Sequence, residues 1–277
     1  VAPSRGLGDV YKRQVNKSSI VPDAVSAGLD TVAVRFPGNH FAQEFIKACG
    51  CPIAAPSANI SGRPSPTNAQ DVLEDMQGKV AAVLDGGHCG IGLESTVVDT
   101  TEPVPVILRP GGITYEMLTE VLGAVDIDPA LQGDKNFKPK APGMKYRHYA
   151  PKAPVYLLEE QAVEQIPVLV KQGLAAGLKV GVLCSEAMQM RLLPHQNLQL
   201  SCWGNSREQL AADLFELLRR FDRTQPDVIL AEGVSEDGIG LAIMNRMRKA
   251  AGYQSIIVKN GILMLKNGAQ LPAFMVK

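Results

Sequence analysis

The densest group of side chains suited to chemistry lies at residues 54–67, Ala-Ala-Pro-Ser-Ala-Asn-Ile-Ser-Gly-Arg-Pro-Ser-Pro-Thr. Its hydroxyl and amide groups belong to Ser57, Asn59, Ser61, Ser65 and Thr67. An apolar run precedes the segment and a helical pattern follows it, which predicts a turn that leads into a helix. Hydroxyls, an amide and free backbone N–H groups at the start of a helix favour the binding of an anion.

Two arginines stand at the ends of predicted strands, where guanidinium groups are suited to bind anions. Arg109 lies in Leu-Arg-Pro-Gly-Gly at residues 108–112, and a guanidinium there can contact two phosphate oxygens at once. Arg35 ends the strand predicted at residues 28–36. A surface ion pair is the alternative role for Arg109, and a half-buried structural pair is the alternative for Arg35.

The polar candidates without charge have ordinary structural roles as alternatives. A lone Ser-x-Asn such as Ser57 and Asn59 is more often a turn held by side chain–backbone hydrogen bonds. Ser65 precedes a proline, which is also the pattern of a helix N-cap. Ser95 lies in Gly-Leu-Glu-Ser-Thr-Val-Val-Asp at residues 92–99, where a serine at a strand edge is the alternative.

His148 and Tyr149 lie in Lys-Tyr-Arg-His-Tyr-Ala-Pro at residues 145–151, within a basic, proline-rich stretch. An aromatic ring on a flexible arm can fold over a nucleotide, and the neighbouring lysines suit a polyphosphate. A solvated tether between domains is the usual role of such a composition. His148 has no second obvious ligand beside it, so no protein metal site is predicted.

The bulk properties disfavour several classes of protein. The 277 residues carry 28 Lys and Arg against 28 Asp and Glu, a balance that disfavours broad nucleic-acid binding. The five cysteines are scattered without a CxxC pair, which disfavours a disulfide framework or a structural zinc site and favours the cytoplasm. The chain has no GxSxG, no Walker-type GxxxxGK[ST] and no GxGxxG motif.

The elements that must position these residues follow from periodicity and from the placement of glycine and proline. In the first half, strands are predicted at residues 28–36, 51–55 and 79–85, and a hairpin at 96–100 with 104–109. Helices are predicted at residues 40–49, after a Thr67–Gln70 capping box, and at 114–122. The helix at 40–49 is expected to present Phe41, Phe45 and Ile46 on one face, and the next helix an apolar stripe at Val72, Leu73 and Met76.

The second half predicts a small α/β domain with a mainly parallel sheet, because strands alternate with helices. The predicted strands are 155–158, 179–184 and 227–232, and the predicted helices are 160–176, a helix opened by a capping box at Ser206–Gln209, and 239–251. The domain prediction is a catalytic domain at 15–130, a basic proline-rich linker at 131–152 and a C-terminal domain at 153–277. Residues 1–14 show no clear periodicity and are predicted to be a non-native scar of sequencing or assembly.

In this order and at this spacing, the four motifs at 54–67, 92–99, 108–112 and 145–151 resemble those of the long, two-domain YrdC/YwlC-type L-threonylcarbamoyladenylate synthases. The resemblance runs from about Leu29 to the C-terminus. It implies a fold with two parts, a YrdC-like twisted mixed sheet with helices and a smaller Rossmann-like C-terminal α/β domain. The family's opening portion, with its Lys-x-Arg phosphate-binding motif, has no counterpart here, so the chain is expected to be truncated at its N-terminus.

The resemblance also implies roles for individual residues. Those implied to contact ATP are Thr31, Ala55, Ser57, Asn59, Ser65, Arg109, His148 and Tyr149. Those implied to contact threonine are Arg35, Ser57 and Ser95. The linker is implied to close over the active site, and Mg²⁺ is expected only as an ion carried by ATP.

The implied reaction is that of a nucleotidyltransferase which joins L-threonine, bicarbonate and ATP into threonylcarbamoyl-AMP and pyrophosphate. No covalent nucleophile is needed, so catalysis is expected to rest on positioning and on neutralisation of phosphate charge. The product serves the threonylcarbamoyladenosine modification of tRNA, with downstream tRNA-modifying transferase proteins as implied partners. Two alternatives stay open: an ATP- and threonine-binding fragment with impaired catalysis, and an RNA-binding module.

Overall fold

The structure is a computed structural model that describes residues 11–26, 28–132 and 149–276. Its described helices are α1 (Asp23–Ser26), α2 (His40–Cys49), α3 (Ala69–Met76), α4 (Tyr115–Leu122), α5 (Ile166–Ala175), α6 (Glu186–Gln189), α7 (Arg207–Thr224) and α8 (Gly240–Ala250). Its described strands are β1 (Tyr11–Asn16), β2 (Thr31–Val34), β3 (Thr96–Asp99), β4 (Val106–Arg109), β5 (Asp126–Ile127), β6 (Val155–Leu158), β7 (Val180–Cys184), β8 (Leu198–Cys202), β9 (Val228–Glu232), β10 (Ser255–Lys259) and β11 (Ile262–Leu265). Short 3₁₀ helices cover Pro129–Gln132, Glu160–Gln165 and Ala273–Met275.

The contacts within the chain divide it into two compact units. The first unit takes its described residues from Val1–Ser57 and Leu93–Lys145, and the second from Ala58–Gly92 and Tyr146–Lys277. The grouping of Ala58–Gly92 with the C-terminal residues is not evident from the sequence.

The first unit contains a mixed five-stranded sheet in the order β2-β1-β3-β4-β5, which confirms the predicted mixed sheet. Strand β1 runs antiparallel to β2 and parallel to β3, and β3 forms the predicted hairpin with β4. Strand β1 begins at Tyr11, so residues 11–14 belong to the sheet although they were predicted to lie outside the fold.

Alternating side chains of the β3–β4 hairpin build the core of the first unit. Val98 and Ile107 pack with three residues of the α4 region, Ile113, Leu118 and Val125. Val97 and Leu108 point to the opposite face and form a second buried pair there, as expected when successive residues of a strand face opposite sides. The hairpin is therefore buried on both faces, and this packing holds the start of β3, next to Ser95, and the end of β4, at Arg109, in place.

Two strand predictions for the first half are wrong, because residues 51–55 and 79–85 form no strand. Helix α2 occupies the predicted residues. Phe41 is 70% and Phe45 is 52% exposed, so the apolar face of α2 is open to solvent. Short apolar runs fit a buried strand and other structures equally well, and sheet partners decide between them.

The second unit contains a six-stranded sheet in the order β11-β10-β6-β9-β7-β8. All of its neighbouring strands are parallel except β10 and β11, which confirms the predicted mainly parallel sheet. Its core residues include Leu158, Val182, Leu230 and Ile256 from four strands and Leu169 from α5. Near-continuous apolar strands are typical of parallel sheets covered on both faces, which is why β6, β7 and β9 were predicted from the sequence. Strands β8, β10 and β11 were not predicted.

Helix α7 is the longest described helix and buries one side along its whole length. It begins as predicted at Ser206, whose hydroxyl accepts a hydrogen bond from the backbone N–H of Gln209 at 3.2 Å. Its buried residues include Leu210, Leu214 and Phe221, together with the charged residue Arg219. Across residues 11–26, 28–132 and 149–276, helices long enough to cross a bilayer and apolar enough to enter one are absent.

Candidate functional site

Three of the predicted site residues come together at strand ends in the first unit. Arg35 follows β2, and its Nη1 donates to the hydroxyl of Ser95 at 3.4 Å. Arg109 ends β4, and its Nε and Nη2 donate to the backbone carbonyl of Ser95 at 3.1 and 2.8 Å. Arg109 is only 7% exposed, whereas Arg35 is exposed. Arg35, Ser95 and Arg109 are called the arginine–serine cluster below.

The register of the hairpin places Arg109 beside Ser95. Val97 of β3 pairs with Arg109 of β4, and the register shifts between Val97 and Val98. Such a bulge redirects a side chain at the end of a strand. The guanidinium of Arg109 therefore lies beside Ser95, the residue immediately before β3.

The glycine at position 111, two residues after Arg109, is required by a close approach of two backbone segments. A Cβ on Gly111 would lie 2.3 Å from the backbone nitrogen of Thr96 and 2.4 Å from the carbonyl oxygen of Glu94. The hydroxyl of Thr96 donates to the carbonyl of Ile113 at 2.6 Å and accepts from its N–H at 3.1 Å. The loop after Arg109 is thus fixed against the segment that carries Ser95.

Lys12 lies near the two guanidinium groups of the arginine–serine cluster. Burial is the largest cause that lowers the pKa of Lys12, the charges of Arg109 and Arg35 add to it and Glu94 opposes it, and together they bring the pKa to about 8. The two arginines therefore disfavour a further positive charge at this place. Lys12 was missed from the sequence because it lies within residues 1–14, and the assignment of the site does not depend on it.

Other candidates of the first unit lie outside this cluster of hydrogen bonds. The hydroxyl of Thr31 accepts from Nε2 of Gln14 at 2.7 Å, so it is held against β1. Ala55 and Ser57 are exposed and lie in the irregular segment that replaces the predicted strand. Their roles toward ATP and threonine stay predictions.

In the second unit, Asn59 holds a tight turn at residues 59–63. Its Nδ2 donates to the carbonyls of Ile60 at 2.9 Å and Arg63 at 3.2 Å. This is the structural role that was the alternative for the Ser-x-Asn sequence. Its Oδ1 is buried without a hydrogen-bond partner among the described residues, so one acceptor of the amide is left for a further donor.

Ser65 is buried but does not cap a helix. Helix α3 begins at Ala69, and its N-cap is Asn68, whose side chain accepts from the N–H of Asp71 at 2.9 Å. The predicted Thr67–Gln70 capping box is therefore wrong, as is the N-cap alternative for Ser65. Asparagine competes well with threonine as an N-cap, and it stands one residue later.

Tyr149 is buried against α7 rather than solvated. Its ring stacks on Phe215, with centroids 4.9 Å apart and an interplanar angle of 28°. Its backbone has φ of 64°, which is uncommon for a residue with a large side chain. The next residue, Ala150, donates its N–H to the carbonyl of Gly62 at 3.1 Å. His148 lies outside the described residues.

One group of potential metal ligands lies on the surface of the second unit. Ligand atoms of His88, Asp213 and Glu216 lie within 4.8 Å of one another. Glu216 already pairs with Arg220 at 2.8 Å and with His88 at 3.5 Å. These contacts lower the pKa of Glu216, with the hydrogen bond from Arg220 as the main cause. We read the group as a surface ion-pair network.

The fold and the arginine–serine cluster together define the class of protein. It is an α/β protein whose N–H and O–H donors come from two arginines at the ends of β2 and β4 and from Ser95 at the start of β3. Such a site fits the oxygens of carboxylates and phosphates, whereas a metal site needs ligands that donate electron pairs.

Two family descriptions match the chain and together cover most of it. "Telomere recombination" matches residues 10–111, and "Threonylcarbamoyl-AMP synthase, C-terminal domain" matches residues 113–252. The threonylcarbamoyl-AMP synthase of Pyrococcus abyssi is 48% identical over 245 residues, which are 87% of this chain and 70% of the relative. That of Bacillus subtilis is 46% identical over 85% of this chain and 68% of the relative.

A solved structure supports the same relationship. The crystal structure of P. abyssi Sua5 complexed with L-threonine superposes with a TM-score of 0.81 at 47% identity, and the match covers 88% of this chain and 71% of that one. The chain belongs to the threonylcarbamoyl-AMP synthase family. The resemblance inferred from the four motifs is thereby confirmed, as is the fold class.

Proposed function

We propose that this chain is a threonylcarbamoyl-AMP synthase that uses L-threonine, bicarbonate and ATP. Family membership over most of the chain supports the reaction class. The observation that carries the assignment is the arginine–serine cluster, where two guanidinium groups at the ends of β2 and β4 converge on Ser95. Its donors fit the anionic groups of both substrates.

In the proposed binding mode, threonine lies beside the exposed guanidinium. Arg35 binds the threonine carboxylate, and the hydroxyls of Ser95 and Ser57 contact the rest of the amino acid. A solved relative is described as complexed with L-threonine, which is consistent with an amino-acid site in this fold. The hydrogen bond between Arg35 and Ser95 holds the guanidinium and the hydroxyl next to each other, where both could contact one threonine molecule.

The proposed chemistry has two steps and no covalent enzyme intermediate. The threonine amine attacks the carbon of bicarbonate, a C–N bond forms and water leaves, which gives a carbamate. A carbamate oxygen then attacks the α-phosphorus of ATP, and the bond from that phosphorus to the pyrophosphate oxygen breaks. The enzyme contributes orientation and neutralisation of phosphate charge. Mg²⁺ is proposed to accompany the ATP phosphates, where it would neutralise charge on the leaving pyrophosphate.

The residues proposed to contact ATP are those that the family resemblance implies. The proposed contacts are Thr31, Ala55, Ser57, Asn59, Ser65, Arg109, His148 and Tyr149. The unpartnered Oδ1 of Asn59 supports a polar contact in the second unit. Nε and Nη2 of Arg109 donate to the Ser95 carbonyl. Arg109 is therefore proposed to act on phosphate through its positive charge as well as through hydrogen bonding.

The biological setting is a proposal that rests on the same reaction. Threonylcarbamoyl-AMP is an activated acyl adenylate, so a downstream tRNA-modifying transferase is the proposed consumer. The scattered cysteines without a CxxC pair fit a reducing compartment, which supports the cytoplasm as the proposed location of the reaction.

Pyrophosphate release tests the proposal. We expect release from ATP to require both threonine and bicarbonate, with only background release when either is omitted. Release that is indifferent to threonine contradicts the assignment. ATP binding without any release in the complete mixture supports the alternative of a binding fragment with impaired catalysis.

A further inference from the structure

One buried carboxylate attaches the turn at residues 59–64 to helix α3. Asp75 of α3 is 2% exposed. Its Oδ2 accepts the backbone N–H of Ile60 at 3.2 Å, and its Oδ1 accepts Nη1 of Arg63 at 2.6 Å. The turn that carries Asn59 is therefore bound to α3 at both of its ends.

A single guanidinium from α7 completes this attachment. Arg219 is 5% exposed, and its Nε and Nη2 donate to the carbonyl of Pro64 at 3.1 and 2.7 Å. Its Nη2 also donates to Asp75 at 2.8 Å, and its Nε lies 3.8 Å from Asp71. Because Pro64 immediately precedes Ser65, the guanidinium fixes the backbone at one proposed ATP contact and, through Asp75, the turn at another.

Arg219 belongs to a stripe on α7 that contacts three segments of the site motifs. Ala211, Phe215 and Arg219 follow one another at intervals of four residues, which places them on one helix face. The backbone carbonyls of Ala211 and Ala212 lie close to Gly92, and a Cβ on Gly92 would lie 2.0 Å from the Ala212 oxygen. Phe215 stacks on Tyr149, and Arg219 holds Pro64.

We propose that Arg219 is a positioning residue of the synthase, which acts through Asp75 and the Pro64 carbonyl to hold Asn59 and Ser65 in the geometry that binds ATP. The proposal rests on the proposed function. It assigns to α7 an indirect part in ATP binding, because Arg219 itself touches neither substrate and acts through Asp75 and Pro64. Arginine suits the role because its planar guanidinium bonds a carbonyl and a carboxylate at once, which an ammonium group does not match.

The test compares Arg219→Met and Arg219→Lys with Arg220→Met. Arg220 is the neighbouring arginine of α7, half exposed, and pairs with Glu216 on the same helix. For each variant we would measure kcat, the KM for ATP and the KM for threonine, together with backbone hydrogen exchange in residues 58–65. Far-UV circular dichroism and the fluorescence of Trp203 report whether the second unit stays folded.

We expect Arg219→Met to raise the KM for ATP about 10-fold or more and to speed exchange in residues 58–65, because small displacements of positioning groups carry large costs. The KM for threonine should change less than about 2-fold, since Arg35 and Ser95 lie in the other unit, and Arg219→Lys should recover part of the loss. Arg220→Met should match the wild type.

The proposal is overturned if folded Arg219→Met keeps the wild-type KM for ATP. An equal loss for both substrates with unchanged exchange at residues 58–65 overturns it as well. If Arg219→Met does not fold, Arg219→Lys decides by the same two readouts. Absence of threonine-dependent turnover in the wild type contradicts the proposed function instead, and the hydrogen exchange still reports the attachment of the turn.

Discussion

At the scale of single residues, Arg35 and Arg109 are proposed to have different roles because one is exposed and the other is buried. Arg35 is exposed and makes one long hydrogen bond to the Ser95 hydroxyl at 3.4 Å. Arg109 is buried, with two donors committed to the Ser95 carbonyl. An exposed guanidinium keeps donors for a ligand, whereas a buried one shapes the site and supplies charge. The strand-end placement of both was predicted from the sequence, but this difference in burial was not.

Arg35→Met is therefore expected to act on threonine. Loss of a charge-assisted contact to the carboxylate should raise the KM for threonine roughly 10- to 100-fold, in line with about 1.5–3 kcal/mol for a hydrogen bond to a charged group. Steady-state kinetics with each substrate varied in turn would measure it. Arg191→Met removes a surface pair with Glu164 and is the control. An unchanged KM for threonine in folded Arg35→Met would remove Arg35 from the site.

At the scale of elements, two backbone features hold the candidate residues. In the first unit, Gly111 lets the loop after β4 lie against the segment before β3. In the second unit, α3 turns Asp71 and Asp75 inward instead of the predicted apolar stripe, and Leu73 is 42% exposed. The helix itself was readable from its pattern. Its buried face was not, because the partner of Asp75 on α7 lies 144 residues away in the sequence.

Gly111→Ala is expected to destabilise the first unit. The added methyl group would sit 2.3 Å from a backbone nitrogen, and forced overpacking typically costs about 1–3 kcal/mol. Gly90→Ala is the control, because its Cβ would meet nothing within 4 Å. Urea unfolding of both variants would measure the effect. Equal stability of the two variants would show that the backbone approach at Gly111 is not close.

Asp75→Asn should lower stability in a manner that depends on pH. Burial opposes ionisation of Asp75, but hydrogen bonds from Arg219, Arg63 and Ile60 outweigh it and lower its pKa below 3.8. A lowered pKa means that the carboxylate stabilises the folded state above pH 3.8, and that this contribution is lost as the pH falls through the lower, folded-state pKa.

The free energy of unfolding of Asp75→Asn should accordingly fall below that of the wild type by about 3 kcal/mol at pH 7, the cost of breaking a buried ion pair. The difference should shrink as the pH is lowered through the folded-state pKa of Asp75. Denaturant titrations at several pH values would test this, with Glu74→Gln at the surface of the same helix as the control. A difference that is constant or grows on acidification would contradict the account.

At the scale of the whole molecule, the sequence predicted the second half of the chain better than the first half. Strands β6, β7 and β9 and helices α7 and α8 lie where periodicity placed them, because a parallel sheet buries apolar runs that alternate with amphipathic helices. In the first half of the chain, the runs at 51–55 and 79–85 have the composition of strands but form no strand. Strand pairing is long-range, and local pattern does not determine it.

The candidate site, like the fold, was only partly predictable from the sequence. Motif order was enough to name the family, because four short motifs in sequence are specific even when each alone is not. It was not enough to separate ligand contacts from residues that hold the backbone, since Asn59 and Tyr149 both make structural contacts that the motifs do not reveal. Arg219, which has no motif around it, was found only from its buried contacts.

The most direct test of the central claim follows the carbon of bicarbonate. The chain would be incubated with ATP, threonine and labelled bicarbonate, and the nucleotide products separated by chromatography. The account predicts label in a nucleotide that forms only with threonine present and in step with pyrophosphate. Pyrophosphate release with no label in any nucleotide would contradict it, because a synthase must place the bicarbonate carbon between threonine and AMP.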